Sequence, residues 1–174
     1  MPGRHLAQFN ISRNRYPLTD ARMKDFLDNV ERVHQAAERI DGFVWRLHDE
    51  TGHAMNIRVY DDPDILPNLT VWRDVESLER FVWQTLHKNM YKRRDEWFAP
   101  INEGAKLVIW WIPEGHHPEM AEGRERLEYL RAHGPSDHAF GWEQLSAARL
   151  WKTAQCLPEH ERAARPRLSL TATK

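Results

Sequence analysis

Apolar and polar positions along this chain follow two alternating rhythms, and the switches between them mark the elements. His5 to Ile11 (HLAQFNI) predicts a first strand, and Arg13 to Leu18, with Pro17, a loop. Thr19 or Asp20 is placed to cap a helix running to about Ile40. Its apolar positions Met23, Phe26, Leu27, Val30, Val33, Ala37 and Ile40 keep the three-to-four spacing of one buried face. Asp41-Gly42 stops it. Phe43 to His48 (FVWRLH) predicts a second strand, and Asn56 to Tyr60 (NIRVY) a short hairpin partner. Asn68 to Trp72 predicts a further strand. Asp74 caps a helix from Val75 to about Phe98, broken near His87 to Asn89. Lys106 to Ile112 (KLVIWWI) is the last strand. Pro118 to His133 is a charged helix that Gly134-Pro135 ends, and Gln144 to Thr153 is a further helical candidate.

This order is β-α-β-(β)-β-α-β with an appended helix. It predicts an α+β fold of the ferredoxin-like, split βαβ type, with an antiparallel sheet and both main helices on one face. The expected domain spans 4–140, and 141–174 is a C-terminal extension, partly helical and then flexible. A sheet with one solvated face should alternate apolar and polar residues. Here Val108, Ile109, Trp110, Trp111 and Ile112 are all apolar, as are Phe43, Val44 and Trp45. The second face therefore needs cover. The expected cover is the same face of a second copy, giving a homodimer through facing sheets. The alternative is the C-terminal helix and tail of the same chain.

Composition narrows the function classes. The chain has 174 residues and a net charge of −1, enough for one domain with a good core. Lys92, Arg93 and Arg94 are followed at once by Asp95 and Glu96, so no basic footprint for nucleic acid is expected. No apolar stretch approaches membrane-spanning length and no secretory h-region opens the chain, so no membrane contact is expected. The single cysteine, Cys156, excludes an internal disulfide framework and fits a reducing, cytoplasmic location. Eight tryptophans imply an aromatic core, an aromatic ligand pocket or an interface.

The candidate chemistry centres on Trp83, His87 and Tyr91, spaced four apart so that they fall on one helical face. On the functional reading His87 is a general acid or base in an aromatic pocket. On the structural reading Phe81, Val82, Leu86 and Met90 form the core face and His87 stands beside it. Trp72, at a strand end, and Trp97, which closes the same run, extend the aromatic wall. Arg46 lies between Trp45 and Leu47 and needs a partner, either a ligand anion or an acidic side chain. Asn10 and Asn68 are placed to aim amides into a pocket or to sit at strand ends. His116 and His117 are adjacent and read as a loop. His48, Asp49, Glu50 and His53 read as a solvated hairpin tip. No metal site is expected. There is no phosphate loop, GxSxG elbow or CxxC pair.

The stretches LAQFNISR, DGFVWRLHDE, NIRVYDDP, LPNLTVW, RDEWF, and KLVIWWIPEGHHP with LEYLRAHGP resemble an uncharacterised bacterial family of unknown function. That family is related to the antibiotic biosynthesis monooxygenases of the dimeric α/β-barrel superfamily. The resemblance covers about Arg4 to Phe140 and leaves out the tail from Gly141. It implies a ferredoxin-like subunit paired face to face, with a pocket between helices and sheet. In the haem-degrading and quinone-forming members the site joins an asparagine on the first strand, a tryptophan ending the third and a histidine on the second helix. Asn10, Trp72 and His87 resemble these by position. The chain departs from the pattern where Val82 or Trp83 stands in place of a first helix histidine. The expected function is a small enzyme acting on an aromatic or polycyclic, weakly acidic substrate. Its chemistry would be cofactor-independent and monooxygenase-like, or that of a cyclase or isomerase. His87, Arg46 and Asn10 would be catalytic, and Asn68, Trp72, Trp83, Tyr91 and Trp97 would bind substrate. The alternatives are a non-catalytic binding protein for haem or another planar ligand, and a structural dimer without ligand.

Overall fold

The computed structural model describes residues 3–102 and 104–153; Cys156 and the remainder of the predicted extension lie outside these. Five strands form one antiparallel, open sheet. They are β1 (Arg4–Asn14), β2 (Phe43–Arg46), β3 (Ile65–Trp72), β4 (Phe98–Ala99) and β5 (Leu107–Pro113). Four α-helices pack around it: α1 (Lys24–Glu38), α2 (Val75–Gln84), α3 (Leu86–Lys92) and α4 (Met120–His133). The sheet runs β2-β3-β1, with β5 along the outer side of β1. The two-residue β4 pairs the far end of that same side, Phe98 opposite Asn14.

β1 is central and is buried on both faces from Leu6 to Phe9, as a strand flanked by neighbours and covered twice should be. Its even-numbered residues Leu6, Gln8 and Asn10 lie opposite Trp72, Thr70 and Asn68 of β3. Directly opposed residues share a face. Leu6, Trp72 and Ile109 pack there with Ala37 of α1 and Val75, Leu78 and Phe81 of α2. Asp74 caps α2 as the sequence predicts, its carboxylate accepting from the Ser77 N–H at 2.8 Å.

The opposite face, with Ala7, Phe9, Val71, Val108 and Trp110, is covered within the same chain. Met120 and Leu127 of α4 pack on it, and Leu47, Ala54, Ile57 and Val59 of the 47–64 connection close its β2 side. The two main helices, α1 and α2, thus share one face as expected, while the appended helix α4 lies on the other, so helices cover both faces of the sheet. The apolar face for which a second copy was expected is occupied by α4, the within-chain cover. Close approach of α4 depends on Gly123, where an added Cβ would stand 2.7 Å from the Phe9 ring. Glu122 ties the same helix to the sheet, accepting from the Trp110 indole N–H at 3.0 Å and from Arg126 at 3.0 Å.

Three further segments depart from the sequence pattern. Asn56 to Tyr60 forms no strand: its alternating apolar residues are half-buried from a loop, whose Val59 carbonyl accepts from Arg124 at 2.6 Å. The 3-10 turn Ala21–Met23 precedes α1, with Asp20 accepting from the Arg22 N–H. Gln144 to Thr153 is not one helix but two single 3-10 turns, Trp142–Gln144 and Trp151–Thr153.

The segment after Phe140 belongs to the core. Phe140 exchanges two backbone hydrogen bonds with Ile109 (2.7 and 3.0 Å) and adds a single rung outside β5. Trp142, Leu145 and Ala148 are buried beside α2. Glu79 of α2, only 3% exposed, accepts the backbone N–H groups of Arg149 and Trp151, each at 2.9 Å. Among the described residues, no helix is long and apolar enough to cross a membrane.

Candidate functional site

The predicted helix through Trp83, His87 and Tyr91 is interrupted at Thr85, which is extended (φ −115°, ψ −174°). Its hydroxyl donates to the Phe81 carbonyl at 2.6 Å and accepts from the His87 N–H at 3.2 Å. One side chain thereby closes α2 and opens α3, the competition with helical hydrogen bonding that threonine is suited to. The break rotates His87 away from a common face with Trp83. The imidazole packs instead on Phe81 (4.7 Å between centroids) and on Tyr91 (6.2 Å, 22° between planes). Trp83 meets Tyr91 edge-on at 5.5 Å and Trp142 at 6.4 Å. Its indole N–H is buried without a protein partner among the described residues.

His87 Nδ1 lies 3.3 Å from the Val82 carbonyl. A carbonyl can only accept, so Nδ1 carries the proton and Nε2 the lone pair. Burial pushes the imidazole pKa down to about 4, the Val82 carbonyl pulling weakly the other way. The residue keeps some solvent contact. His87 is therefore a neutral imidazole at pH 7, with its basic nitrogen at Nε2.

A second constellation lies on the sheet face beneath α1 and α2. The Trp72 indole donates to Thr70 Oγ1 (2.9 Å), and that hydroxyl donates to Gln8 Oε1 (3.0 Å). Gln8 Nε2 donates to Asn10 Oδ1 (2.7 Å), which also accepts from Asn68 (3.1 Å). Asn10, Asn68 and Trp72 are thus joined in one ladder. Gln8 and Thr70, which complete it, were missed by sequence reasoning. Their signal is a period of two: polar residues at 8 and 10 facing polar residues at 68 and 70. Trp72 stacks on Phe81 at 5.2 Å, so an aromatic path connects the ladder to His87. No hydrogen bond joins the two among the described residues.

The other predicted residues fall elsewhere. Arg46 stands opposite Thr70 on β2. Its guanidinium takes the structural partner, Glu38 at 2.9 Å, and donates to the Gly52 carbonyl at 2.7 Å. Trp97 is 2% exposed, packed on Phe26 and under the Arg93 guanidinium. A ring so enclosed serves the core, not a ligand wall. An open groove of about 320 Å³ lies beside Trp111, Pro135, Phe140 and Leu145, and none of the predicted site residues lines it.

His53 does not sit at a solvated tip with His48. The loop folds back so that its ring lies 5.3 Å from that of His34 on α1. With Glu31 these form the one group of potential metal donors found among the described residues. Burial, then the charges of Arg46 and His53, push the His34 pKa down to about 4. Sequence reasoning missed Glu31 and His34, although Glu-x-x-His on a helix puts both on one face.

Comparison with known proteins gives a family and distant structural likenesses. The sequence profile of a domain of unknown function, DUF3291, matches residues 5–156. No curated protein matches significantly. Among solved structures, that of PA3566 from Pseudomonas aeruginosa is similar at 12% identity, covering 63% of this chain and 93% of that one, with a TM-score of 0.40.

Proposed function

This chain belongs to the DUF3291 family, a domain of unknown function, and on that footing we propose that it is a small enzyme acting on an aromatic, weakly acidic metabolite, with His87 as its base. The observation that carries this reading is the state of His87: neutral, held through Nδ1 on the Val82 carbonyl, flanked by Phe81 and Tyr91, with no hydrogen-bond partner on the Nε2 lone pair among the described residues. A base with so low a pKa is weak. It therefore favours substrates whose proton is already acidic and whose anion is delocalised. Tyr91, half-buried beside the imidazole, supplies a flat apolar surface of the kind such a substrate needs, while Phe81 backs the imidazole from the core. The amides of Asn10 and Asn68, both partly exposed, are the groups suited to hydrogen-bond a developing enolate or phenolate. Proton abstraction of this kind serves either a cofactor-independent oxygenation or a cyclisation.

The ferredoxin-like reading of the subunit, and with it the relation to the antibiotic biosynthesis monooxygenases, is supported by the antiparallel order β2-β3-β1 with β5 outside β1. A face-to-face dimer has less support, because α4 lies on the face it would use.

The test is a panel of phenols and cyclic 1,3-diketones, read by quenching of tryptophan fluorescence and by turnover under air. A productive substrate should lose turnover in His87→Ala. Its rate should rise with pH through about 4 and stay level above, since His87 works as the unprotonated form. Unchanged turnover in His87→Ala, or no ligand in the panel, rejects the assignment. Adding haemin to the same samples decides the planar-ligand alternative. A Soret shift that His87→Ala abolishes would replace the enzyme reading with it.

A further inference from the structure

We propose that Glu31, His34 and His53 bind a divalent transition-metal ion of the zinc class, which clasps the 47–64 connection to α1. Their donor atoms all lie within 4.8 Å of one another. Around a tetrahedral ion with bonds of about 2.0–2.1 Å, donors stand about 3.3 Å apart. The required contraction is within the reach of side-chain rotation, and His53 is carried by a loop.

Two further observations distinguish this group from a chance meeting of surface side chains. His34 Nδ1 and His53 Nδ1 are both buried and have no hydrogen-bond partner among the described residues. Buried polar atoms are rarely left so, and here two adjacent imidazoles share the condition. The loop is also built to present His53. Asp49 accepts from the Thr51 N–H and hydroxyl and from Asn56, and its own N–H donates to the His53 carbonyl at 2.8 Å. Gly52 adopts φ +84°, a left-handed conformation that favours glycine, and its carbonyl is held by Arg46.

The nearby Arg46 charge does not forbid a cation. Glu38 already pairs with it, so the Glu31 carboxylate leaves the surroundings net negative. Two imidazoles and one carboxylate suit borderline ions and are poor ligands for magnesium or calcium. Three protein donors also leave a coordination position for water or a small anion. This site is separate from His87 and stands or falls independently of the function proposed there.

The experiment is a zinc titration of the metal-free, full-length chain against a chromophoric chelator. The expected result is one ion per chain with micromolar or tighter affinity, undiminished by a large excess of magnesium. His34→Ala and His53→Ala should each weaken binding at least roughly tenfold, and Glu31→Gln somewhat less. Cobalt substituted for zinc should show visible d–d bands that vanish in His53→Ala. Zinc should slow proteolytic cleavage within 47–64. If His34→Ala fails to fold, His53→Gln, on a loop, and Glu31→Gln, at an exposed position, decide the matter. Absence of stoichiometric zinc binding, or binding that the His53 and Glu31 variants leave unchanged, overturns the proposal. His133→Ala, on α4, should behave as the parent.

Discussion

Replacing Glu79 by alanine should detach the C-terminal segment from α2. The carboxylate is almost wholly buried, and its two oxygens receive the N–H groups of Arg149 and Trp151 at 2.9 Å each. Hydrogen bonds to a charged group contribute about 1.5–3 kcal/mol apiece. Removing both acceptors would cost about 3–6 kcal/mol if the two amides stayed buried. The segment is near the end of the described chain and can lift off to let water reach them, so a loss of about 3 kcal/mol is expected. The gain in helix propensity from alanine is well below 1 kcal/mol, about 0.4, and does not alter the sign. Against a total of about 5–15 kcal/mol for an ordinary domain, this is a large fraction. Glu79→Gln should lose more than half as much, because its –NH₂ would face one of the two N–H donors. The assay is urea unfolding followed by tryptophan fluorescence, with hydrogen exchange at the amides of 149 and 151. A change below about 0.5 kcal/mol, with both amides still protected, would refute the reasoning.

Other consequences are as direct. Gly123→Ala should lower the melting temperature even though alanine is the better helix former by about 1 kcal/mol; the new methyl meets the Phe9 ring at 2.7 Å, and such overpacking typically costs about 1–3 kcal/mol. Thr70→Val keeps the shape but leaves the Trp72 indole N–H and the Gln8 carbonyl unpaired; a loss of about 2–4 kcal/mol in urea unfolding is expected, and no measurable loss would show that water replaces the hydroxyl. His87 has a folded pKa of about 4 against an unfolded value near 6.5, so the unfolded chain binds the extra proton first. Stability should fall as pH drops from about 6.5 to 4 and level off below, by about 3 kcal/mol for this residue. His34, with a pKa also pushed down to about 4, contributes in the same window, so His87→Gln should make that part of the profile shallower without abolishing it when unfolding midpoints are compared at several pH values.

The strands and helices with long, regular patterns were readable before any coordinates, because burial on a single face imposes its period directly on the sequence. β1, β3, β5, α1 and α4 all fall close to their predicted places. Asn56 to Tyr60 misled for the same reason: a loop pressed against a sheet also buries alternate residues. The break at Thr85 was expected two residues too late, since what ends α2 is one hydroxyl bonding the Phe81 carbonyl, which no periodicity records. The doubly apolar sheet was evident, yet what covers the second face is a tertiary matter, and α4 carries too few apolar positions to announce itself as a core helix. At the candidate site, the sequence singled out His87 and the two asparagines only as residue types. Their partners Gln8, Thr70 and Val82 were not, because a hydrogen-bond ladder is a product of strand register. The meeting of His34 with His53 depends on the path of a long loop and left only the Glu-x-x-His spacing as a trace.

With both faces of the sheet already occupied, strand addition is left with the two margins. One margin is β2, four residues long with a register irregularity between Phe43 and Trp45, and short, bulged margins are poor templates for a neighbouring chain. The other is β5, where Ile109 is already bonded to Phe140. Among the described residues, the single rung at Phe140 and the brevity of β2 leave little open strand margin on which further strands could pair.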